Sequence, residues 1–548
     1  MTFRLKSLLL FFAVAAMILF WNLHRVPLFD PDEGRYSDIG WEMLKTGDLM
    51  IPRMNFVVHL HKPPLSNWFV ALGLKTFGAN EFGARFPSVI LSLILLGFVV
   101  NTGRFLFDFR SGLYSAWILL TSVLYFAISR LVTTDMTLVF WTALSVMFQA
   151  RLFFDSKHPR LYFYACILTL SFAMLTKGPV GWMIGILPGL FFAIWRKKKI
   201  NVRTSDWVIG IFLLLVLSLS WYFVIVLRYS GGLHYFLNFQ LAQRMGAGKV
   251  GRAHPLFYYF LVMPLGFMPW FIFMPSVIRW WQKAKSISET EREKYFFLLF
   301  WFLIPFILFC LFRTKLATYI VPLYPPLALI AGKFWKEIDE GSLAMTRPMK
   351  VSAGILSFSY FGLLIGGHIF IHHFPHFVRG IGSHFIWIAS IYLFAGSTVA
   401  IAIFVKKCFR CFFRYQVGFM VGLGLLVMTA LPQIQFKNSK AFVQKIEELR
   451  KPGEKVLMYN TYIASLPFYL QERVIEVFTG TELVFETPEQ TQGYVYTREE
   501  DIRPFLEGSD RVFVLGSNAG WEKAKRQTPT PLFELLRRGK FVLFSNKA

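Results

Sequence analysis

The side chains able to do chemistry are gathered at short polar interruptions of an otherwise apolar chain. The densest is Asp30-Pro31-Asp32-Glu33-Gly34-Arg35, three carboxylates and an arginine just past the first apolar run. Others are His59-Leu60-His61-Lys62, Arg130 with Asp135, Thr176-Lys177-Gly178-Pro179, Arg244, and Arg313 with Lys315 and Tyr319. Polar groups kept at a membrane surface cost desolvation energy and mark function. Several cations beside a few acids suit a phosphate or pyrophosphate bound near a carboxylate. The candidate residues for such a cavity are Asp32, Glu33, Arg35, Lys62, Asp135, Lys177, Arg244, Lys315 and Tyr319.

Each has a plainer reading that stays open. Asp30 reads best as a helix cap, Asp32 as the acid for chemistry, and Glu33 as either a capping-box partner or a second acid. Asp135 follows Thr133-Thr134 and could cap the helix after it. Lys62 and Lys177 could snorkel to headgroups. Arg244 could hold lipid phosphate nonspecifically, and Tyr319 could be an interfacial aromatic. His59 and His61 alternate along an extended segment, and with His254 as a third ligand His61 is a candidate zinc position. The pair Cys408 and Cys411 has zinc-like spacing but no second pair.

These sites must be positioned by membrane helices. The chain has 548 residues, of which 55% are hydrophobic and only 16% charged, well below the quarter usual in soluble domains. Apolar runs of about 20 residues, each able to cross a bilayer, follow one another. About thirteen spans are expected: 5–23, 86–103, 112–129, 136–153, 161–176, 179–195, 207–227, 256–278, 295–312, 316–333, 351–371, 384–405 and 415–432. The net charge of +26 fits basic cytoplasmic connectors and anionic headgroups, not nucleic acid. Alternating connector charge puts the N-terminus in the cytoplasm and the candidate residues outside. The loop 24–85 should bear two interfacial helices, one starting at Asp30-Pro31-Asp32-Glu33 with an acidic N-cap, Pro at N1 and Glu at N3 and running to about Lys45, and one from Leu65 to Phe77. After about Gln433 short apolar runs at 455–459, 474–478, 511–515 and 540–544 alternate with helical patterns such as 441–449. That alternation predicts an α/β domain outside the cytoplasm. The expected organisation is a membrane domain over 1–433, loop included, and an α/β domain over 434–548.

Five motifs, in order, carry a family resemblance: Asp32-Glu33-x-Arg35-Tyr36, Lys62-Pro63-Pro64, Thr133-Thr134-Asp135, Thr176-Lys177-Gly178-Pro179, and Lys315-Leu316-x-Thr318-Tyr319-Ile320-x-Pro322. Together they resemble the bacterial lipid A aminoarabinose transferases, glycosyltransferases of GT-C fold related to the protein O-mannosyltransferases. The resemblance implies an inner-membrane enzyme that moves a sugar from an undecaprenyl-phosphate carrier to lipid A, with no obligatory cofactor. It makes Asp32 the acid at the reacting centre. Lys62, Arg244 and Tyr319 would contact the carrier phosphate, and Arg35 and Asp135 would complete the cavity. The chain departs from the family at His61, where a glutamate is common before Lys-Pro, and at Gln240-Leu241, where a Glu-His pair is common. A metal site on those positions would have to be rebuilt around His61. A transporter of lipid-linked glycans would need charges inside the spans and repeats, and neither is evident.

Overall fold

A computed structural model of the chain describes residues 3–155, 157–197, 200–237, 253–283, 288–341, 343, 346–373, 383–405, 409–434, 438–480 and 491–548. Residues pack into two compact units, one of 1–22 with 88–434 and one of 23–87 with 435–548. The loop expected to belong with the membrane region therefore packs with the C-terminal region instead.

The first unit is helical. Ten helices among the described residues are long and apolar enough to cross a membrane, and eleven if one bent pair counts as a span. This is a multi-pass membrane protein. The helices are α1 (Phe3–Phe20), α4 (Glu81–Leu106, whose first turns belong to the second unit), α7 (Thr134–Phe154), α8 (Pro159–Lys177), α9 (Pro179–Arg196), α10 (Thr204–Arg228), α13 (Glu289–Leu311), α15 (Arg347–His373), α16 (Ser383–Val405) and α17 (Phe409–Ala430). The bent pair is α11 (Tyr258–Gly266) with the segment Trp270–Gln282, a 3-10 turn (Trp270–Phe273) leading into α12 (Met274–Lys283), turned by 104°.

Besides the bent 256–278, two of the thirteen expected spans are broken. The run 112–129 becomes α5 (Phe109–Leu120) and α6 (Val123–Ile128), separated at Thr121-Ser122. The Thr121 hydroxyl turns back to the Trp117 carbonyl at 2.6 Å and the Ser122 hydroxyl to that of Ile118, local bonding that competes with helix continuation. The run 316–333 becomes a 3-10 segment (Ala317–Leu323) followed by α14 (Tyr324–Asp339). Pro322, Pro325 and Pro326 lack the N–H that a continuous α-helix needs there. Hydropathy records apolar length and is blind to both interruptions. Helices α4 and α5 meet at Gly103 and Gly112, where a Cβ on Gly103 would stand 2.4 Å from the Gly112 Cα, the close small-residue contact that membrane helices favour.

The second unit contains α2 (Asp32–Thr46), a hairpin of β1 (Arg53–Met54) and β2 (Val57–Val58), and α3 (Leu65–Phe77). Helix α2 has Asp32 and Glu33 in its first turn and Lys45 in its last, as the dipole favours. It stops at Gly47, which takes a left-handed conformation with φ +72°. Helix α3 has the bounds expected of it, and α2 begins at Asp32, just past the Pro31 expected at N1. Ten of the fifteen residues of α2 are buried, so it is a core helix of this unit rather than a surface one.

The C-terminal part is the expected α/β arrangement. Helix α18 (Lys440–Leu449) precedes β3 (Lys455–Tyr459), α19 (Ser465–Leu470), β4 (Ile475–Val477), β5 (Val495–Tyr496), α20 (Arg503–Glu507), β6 (Val512–Ser517), α21 (Asn518–Gln527), β7 (Phe533–Arg538) and β8 (Phe541–Ser545). The sheet order is β5-β4-β3-β6-β8-β7, with the first four strands parallel and the last two antiparallel. Alternate residues of β3 and β6 feed two apolar cores, Leu457 and Val514 on one face, Met458 and Leu515 on the other.

Candidate functional site

Helix α2 begins inside the densest motif, and its first turn separates neighbouring carboxylates. Asp30 reaches across to α19. Its Oδ1 accepts from the Ser465 N–H at 2.8 Å and its Oδ2 from the Ser465 hydroxyl at 2.5 Å, so it holds the start of α19. Gly34 makes this approach possible, since a Cβ there would lie 2.5 Å from both Asp30 Oδ1 and the Ser465 nitrogen. Glu33 is 2% exposed and pairs bidentately with Arg85, Nε to Oε1 at 2.8 Å and Nη2 to Oε2 at 2.5 Å. Its Oε2 also accepts the Phe29 N–H at 3.0 Å. Of its two sequence readings, the geometry favours the one that reaches back to upstream backbone. Arg85 spends its remaining donors on the carbonyls of Leu23, Val26 and Pro27. Its role was not legible in the sequence, where it stands only as the last charge before an apolar run.

Asp32 is different. Its side chain is 43% exposed, and its nearest cation, Arg35, stands at 3.9 Å. Arg35 Nε is buried with no hydrogen-bond partner among the described residues. The chain leaving β2 brings His59, His61 and Lys62 to the same neighbourhood. The His59 and His61 rings lie 4.3 Å apart, and His59 feels the charges of His61, Arg35 and Lys62. Burial, reinforced by those cations, drives the His59 pKa well below the usual histidine value. His59 is therefore neutral beside the positive charges of Arg35 and Lys62, and Arg35 in turn stands 3.9 Å from the carboxylate of Asp32, which is open to solvent. Such an arrangement can hold an anion and place an acid near it.

The first unit has its own polar centre. Thr133 caps α7 and accepts the Asp135 N–H at 3.2 Å. Asp135 itself is an ion-pair partner: its Oδ1 contacts Lys177 Nζ, with both side chains at most 10% exposed. Lys177 ends α8 before Gly178, at φ +76°, and its ammonium lies 4.0 Å from the centroid of the Tyr319 ring. Three of the sequence motifs thus meet here. Lys315 is 2% exposed and turned inward, donating to the carbonyls of His254 (3.0 Å) and Phe312; desolvation lowers its pKa. It binds the strap 253–259 to the segment 313–319, as do the Ala253–Thr314 bridge and the Tyr259 hydroxyl on the Leu316 carbonyl at 3.0 Å. Arg130 donates to the carbonyls of Ile18, Leu19 and Trp21 and so closes the end of α1.

Arg244 and Cys408 lie outside the described residues. Among the described residues no three His, Cys, Asp or Glu side chains are grouped for a metal, and His61 and His254 of the zinc candidate lie in different units. The His254 ring instead stacks on Tyr258 at 4.3 Å. Asp38, Glu42, Asn55 and Glu476, buried in the second unit, escaped the sequence reading. The signal available was the spacing of Asp38 and Glu42, four apart on a helix otherwise lined by Ile39 and Met43.

Residues 61–222 match the family model described as dolichyl-phosphate-mannose-protein mannosyltransferase. The chain is 28% identical over 352 residues to the undecaprenyl phosphate-alpha-4-amino-4-deoxy-L-arabinose arabinosyl transferase of Yersinia enterocolitica, covering 64% of this chain and 62% of that relative's length. Identity to the protein of the same name from Pectobacterium atrosepticum is 26%, over 86% of each chain. The crystal structure of ArnT from Cupriavidus metallidurans in the apo state superposes with a TM-score of 0.80 at 20% identity, covering 100% of this chain and 98% of the other. The same protein bound to undecaprenyl phosphate gives 0.78 at 21% identity, over 99% and 98%. Motifs and sequence matches bear out the resemblance to the lipid A aminoarabinose transferases, and the superposition shows that the chain shares the fold of the Cupriavidus protein.

Proposed function

We propose that this protein is an inverting glycosyltransferase of the bacterial inner membrane. It takes a sugar from an undecaprenyl-phosphate carrier, 4-amino-4-deoxy-L-arabinose first among the candidates, and places it on a lipid A phosphate at the periplasmic face. The N-terminus is cytoplasmic in this reading, and the C-terminal α/β region periplasmic. The observation that carries it is the open carboxylate of Asp32 beside the cation Arg35, whose charge acts together with that of Lys62 on His59. The names of the relatives and the carrier phosphate bound by the Cupriavidus protein support the choice of donor.

In this reaction the bond between the anomeric carbon and the carrier phosphate breaks, and a bond from that carbon to an acceptor oxygen forms. Cations stabilise the leaving phosphate as charge develops. The sugar centre gains oxocarbenium character, which a nearby carboxylate favours. An ionised phosphate acceptor needs no base, so Asp32 acts there as an electrostatic partner. A hydroxyl acceptor would need Asp32 to take its proton. Lys62 is proposed for the carrier phosphate in the second unit, and Lys177 with Tyr319 for carrier contact in the first. Asp135 holds Lys177 in place.

The match of residues 61–222 to a mannosyltransferase model favours a second reading, transfer of another sugar from a polyprenyl phosphate to a glycan or to Ser/Thr. The test supplies purified protein with undecaprenyl-phosphate donors carrying different sugars, and with lipid A or a Ser/Thr peptide as acceptor. Products are read by mass spectrometry. Aminoarabinosyl lipid A that disappears in Asp32→Asn and Lys62→Ala is the expected result. Product on the peptide alone would select the second reading, and undiminished turnover in both variants would remove the site.

A further inference from the structure

Three carboxyl groups with no part in the proposed chemistry meet inside the second unit. Asp38 and Glu42 sit four residues apart on α2 and Glu476 lies on β4, exposed by 0, 1 and 0%. Asn55, at the hairpin turn, ties them together. Its backbone N–H donates to Asp38 Oδ2 at 2.9 Å, and its Nδ2 donates to Glu476 Oε1 at 2.7 Å and to the Val474 carbonyl at 2.8 Å. Its Oδ1 accepts the Val474 N–H at 2.9 Å. The next N–H, of Phe56, donates to both Glu42 oxygens at 2.9 Å. Asn55 and Phe56 have φ of +51° and +64°, as a two-residue hairpin turn requires.

The charged and titratable groups facing this cluster come from every element around it. They are Arg35 on α2, Arg53 on β1, Tyr462 ahead of α19, and Arg473 ahead of β4, with Tyr494 stacked on the Arg473 guanidinium at 3.9 Å. Three full negative charges in so dry a place would be costly. Asp38 Oδ1 receives no N–H or O–H donor among the described residues, and the Asp38 carboxyl instead faces that of Glu42 within hydrogen-bond reach. Two carboxylates repel, whereas an acid and a carboxylate share a hydrogen bond. Burial pushes the Asp38 pKa up to about 7, and burial together with the Asp38 charge raises that of Glu42 well above the usual value.

We propose that a single proton held between Asp38 and Glu42 is a structural part of this unit, clamping α2 to the hairpin and, through Asn55, to β4. The helix carrying Asp32 and Arg35 and the segment carrying His61 and Lys62 keep one mutual arrangement while that proton is present. When it passes to solvent, like charges remain in a dry site and the clamp loosens. Asp38, Glu42 and Asn55 are thus positioning residues. The inference does not depend on the transferase reading, because its readout is local opening rather than turnover.

Hydrogen exchange of the full-length protein in lipid nanodiscs, followed by mass spectrometry between pH 5 and 8.5, tests it. The amides of Asn55, Phe56 and Val474 report on the clamp, after correction for intrinsic exchange. Once the cluster opens, Asp38 returns to about 4, the ordinary carboxylate value, so opening releases a proton between pH 4 and 7. Protection should fall as the pH rises through this range, by about tenfold per pH unit for each proton that opening releases. Asp38→Asn and Glu42→Gln keep an acceptor for the hairpin amides and replace the shared proton with an amide donor, so the protection of each should fall less steeply with pH than in wild type. Wild-type protection that is flat over this range overturns the proposal, as does an unchanged slope in either variant. Should both variants fail to accumulate, the wild-type slope alone decides.

Discussion

Asp135 of the membrane unit and Asp32 of the second unit both sit in the first turn of a helix, and both belong to a polar motif. Their surroundings are opposite. Asp135 is buried against Lys177, whose charge is further shared with the face of Tyr319. Asp32 is half open, with one distant cation in its own helix. A carboxylate already neutralised by a buried partner has little left to offer a substrate, and it serves by fixing that partner. One that faces water and keeps only a long contact to its cation can act on a ligand. Within α2 the same contrast falls between adjacent residues, since Glu33 is locked to Arg85 while Asp32 is not.

The contrast breaks most readily at Asp32. Asp32→Asn should leave folding intact, because the side chain makes only a long ion pair. Turnover of the polyprenyl-linked donor should drop by about 10²–10⁴-fold, the range for removing a positioned carboxyl group. Thermal melting beside single-turnover kinetics checks both halves. A variant with wild-type rates would make Asp32 another capping acid.

Glu33→Gln should do the reverse. It leaves the Arg85 guanidinium buried without its counter-charge, a loss of about 3–5 kcal/mol in comparable pairs. Yield and melting temperature should fall, and the surviving folded fraction should keep its turnover per molecule. A Glu33→Gln protein that melts like wild type yet turns over slowly would move Glu33 into the reacting centre.

Asp135→Asn tests the other side of the comparison. With its counter-charge gone, Lys177 should lose its fixed position. The Michaelis constant for the lipid-linked donor should then rise more than the turnover number falls. Asp135→Glu, which restores the charge, should recover much of the loss. Equal loss in both variants, confined to turnover, would instead give Asp135 a direct part in the chemistry.

Much of this was legible in the sequence, for reasons that particular residues make plain. Helix α2 announced itself through an acidic first turn and Gly47 at its end, and α3 through Pro64 and Gly78. The strands at 455–459 and 541–545 are short apolar runs of a buried sheet, and such runs show in composition. Strand β7, Phe-Glu-Leu-Leu-Arg-Arg at the sheet edge, has no buried residue and gave no such signal. The candidate site was harder because charge type does not reveal partner. Asp30, Asp32 and Glu33 look alike in sequence, yet one bonds Ser465, one stays open and one pairs with Arg85, contacts made across as many as 435 positions. Lys315 reads as a binding cation and is turned into its own backbone instead.

The smallest effect expected comes from the glycine that lets these partners meet. Gly34→Ala puts a methyl group 2.5 Å from Asp30 Oδ1 and the Ser465 nitrogen. The backbone of α19 cannot yield as a flexible side chain would, so strain of about 1–3 kcal/mol is expected. The melting temperature should drop modestly. The pH dependence of exchange at Asn55 should stay as in wild type, since the Asp38–Glu42 proton is untouched. A variant that melts normally would mean that the loop before α2 shifts without cost. The Asp30–Ser465 contact would then be a consequence of the packing between α2 and α19 rather than a cause of it.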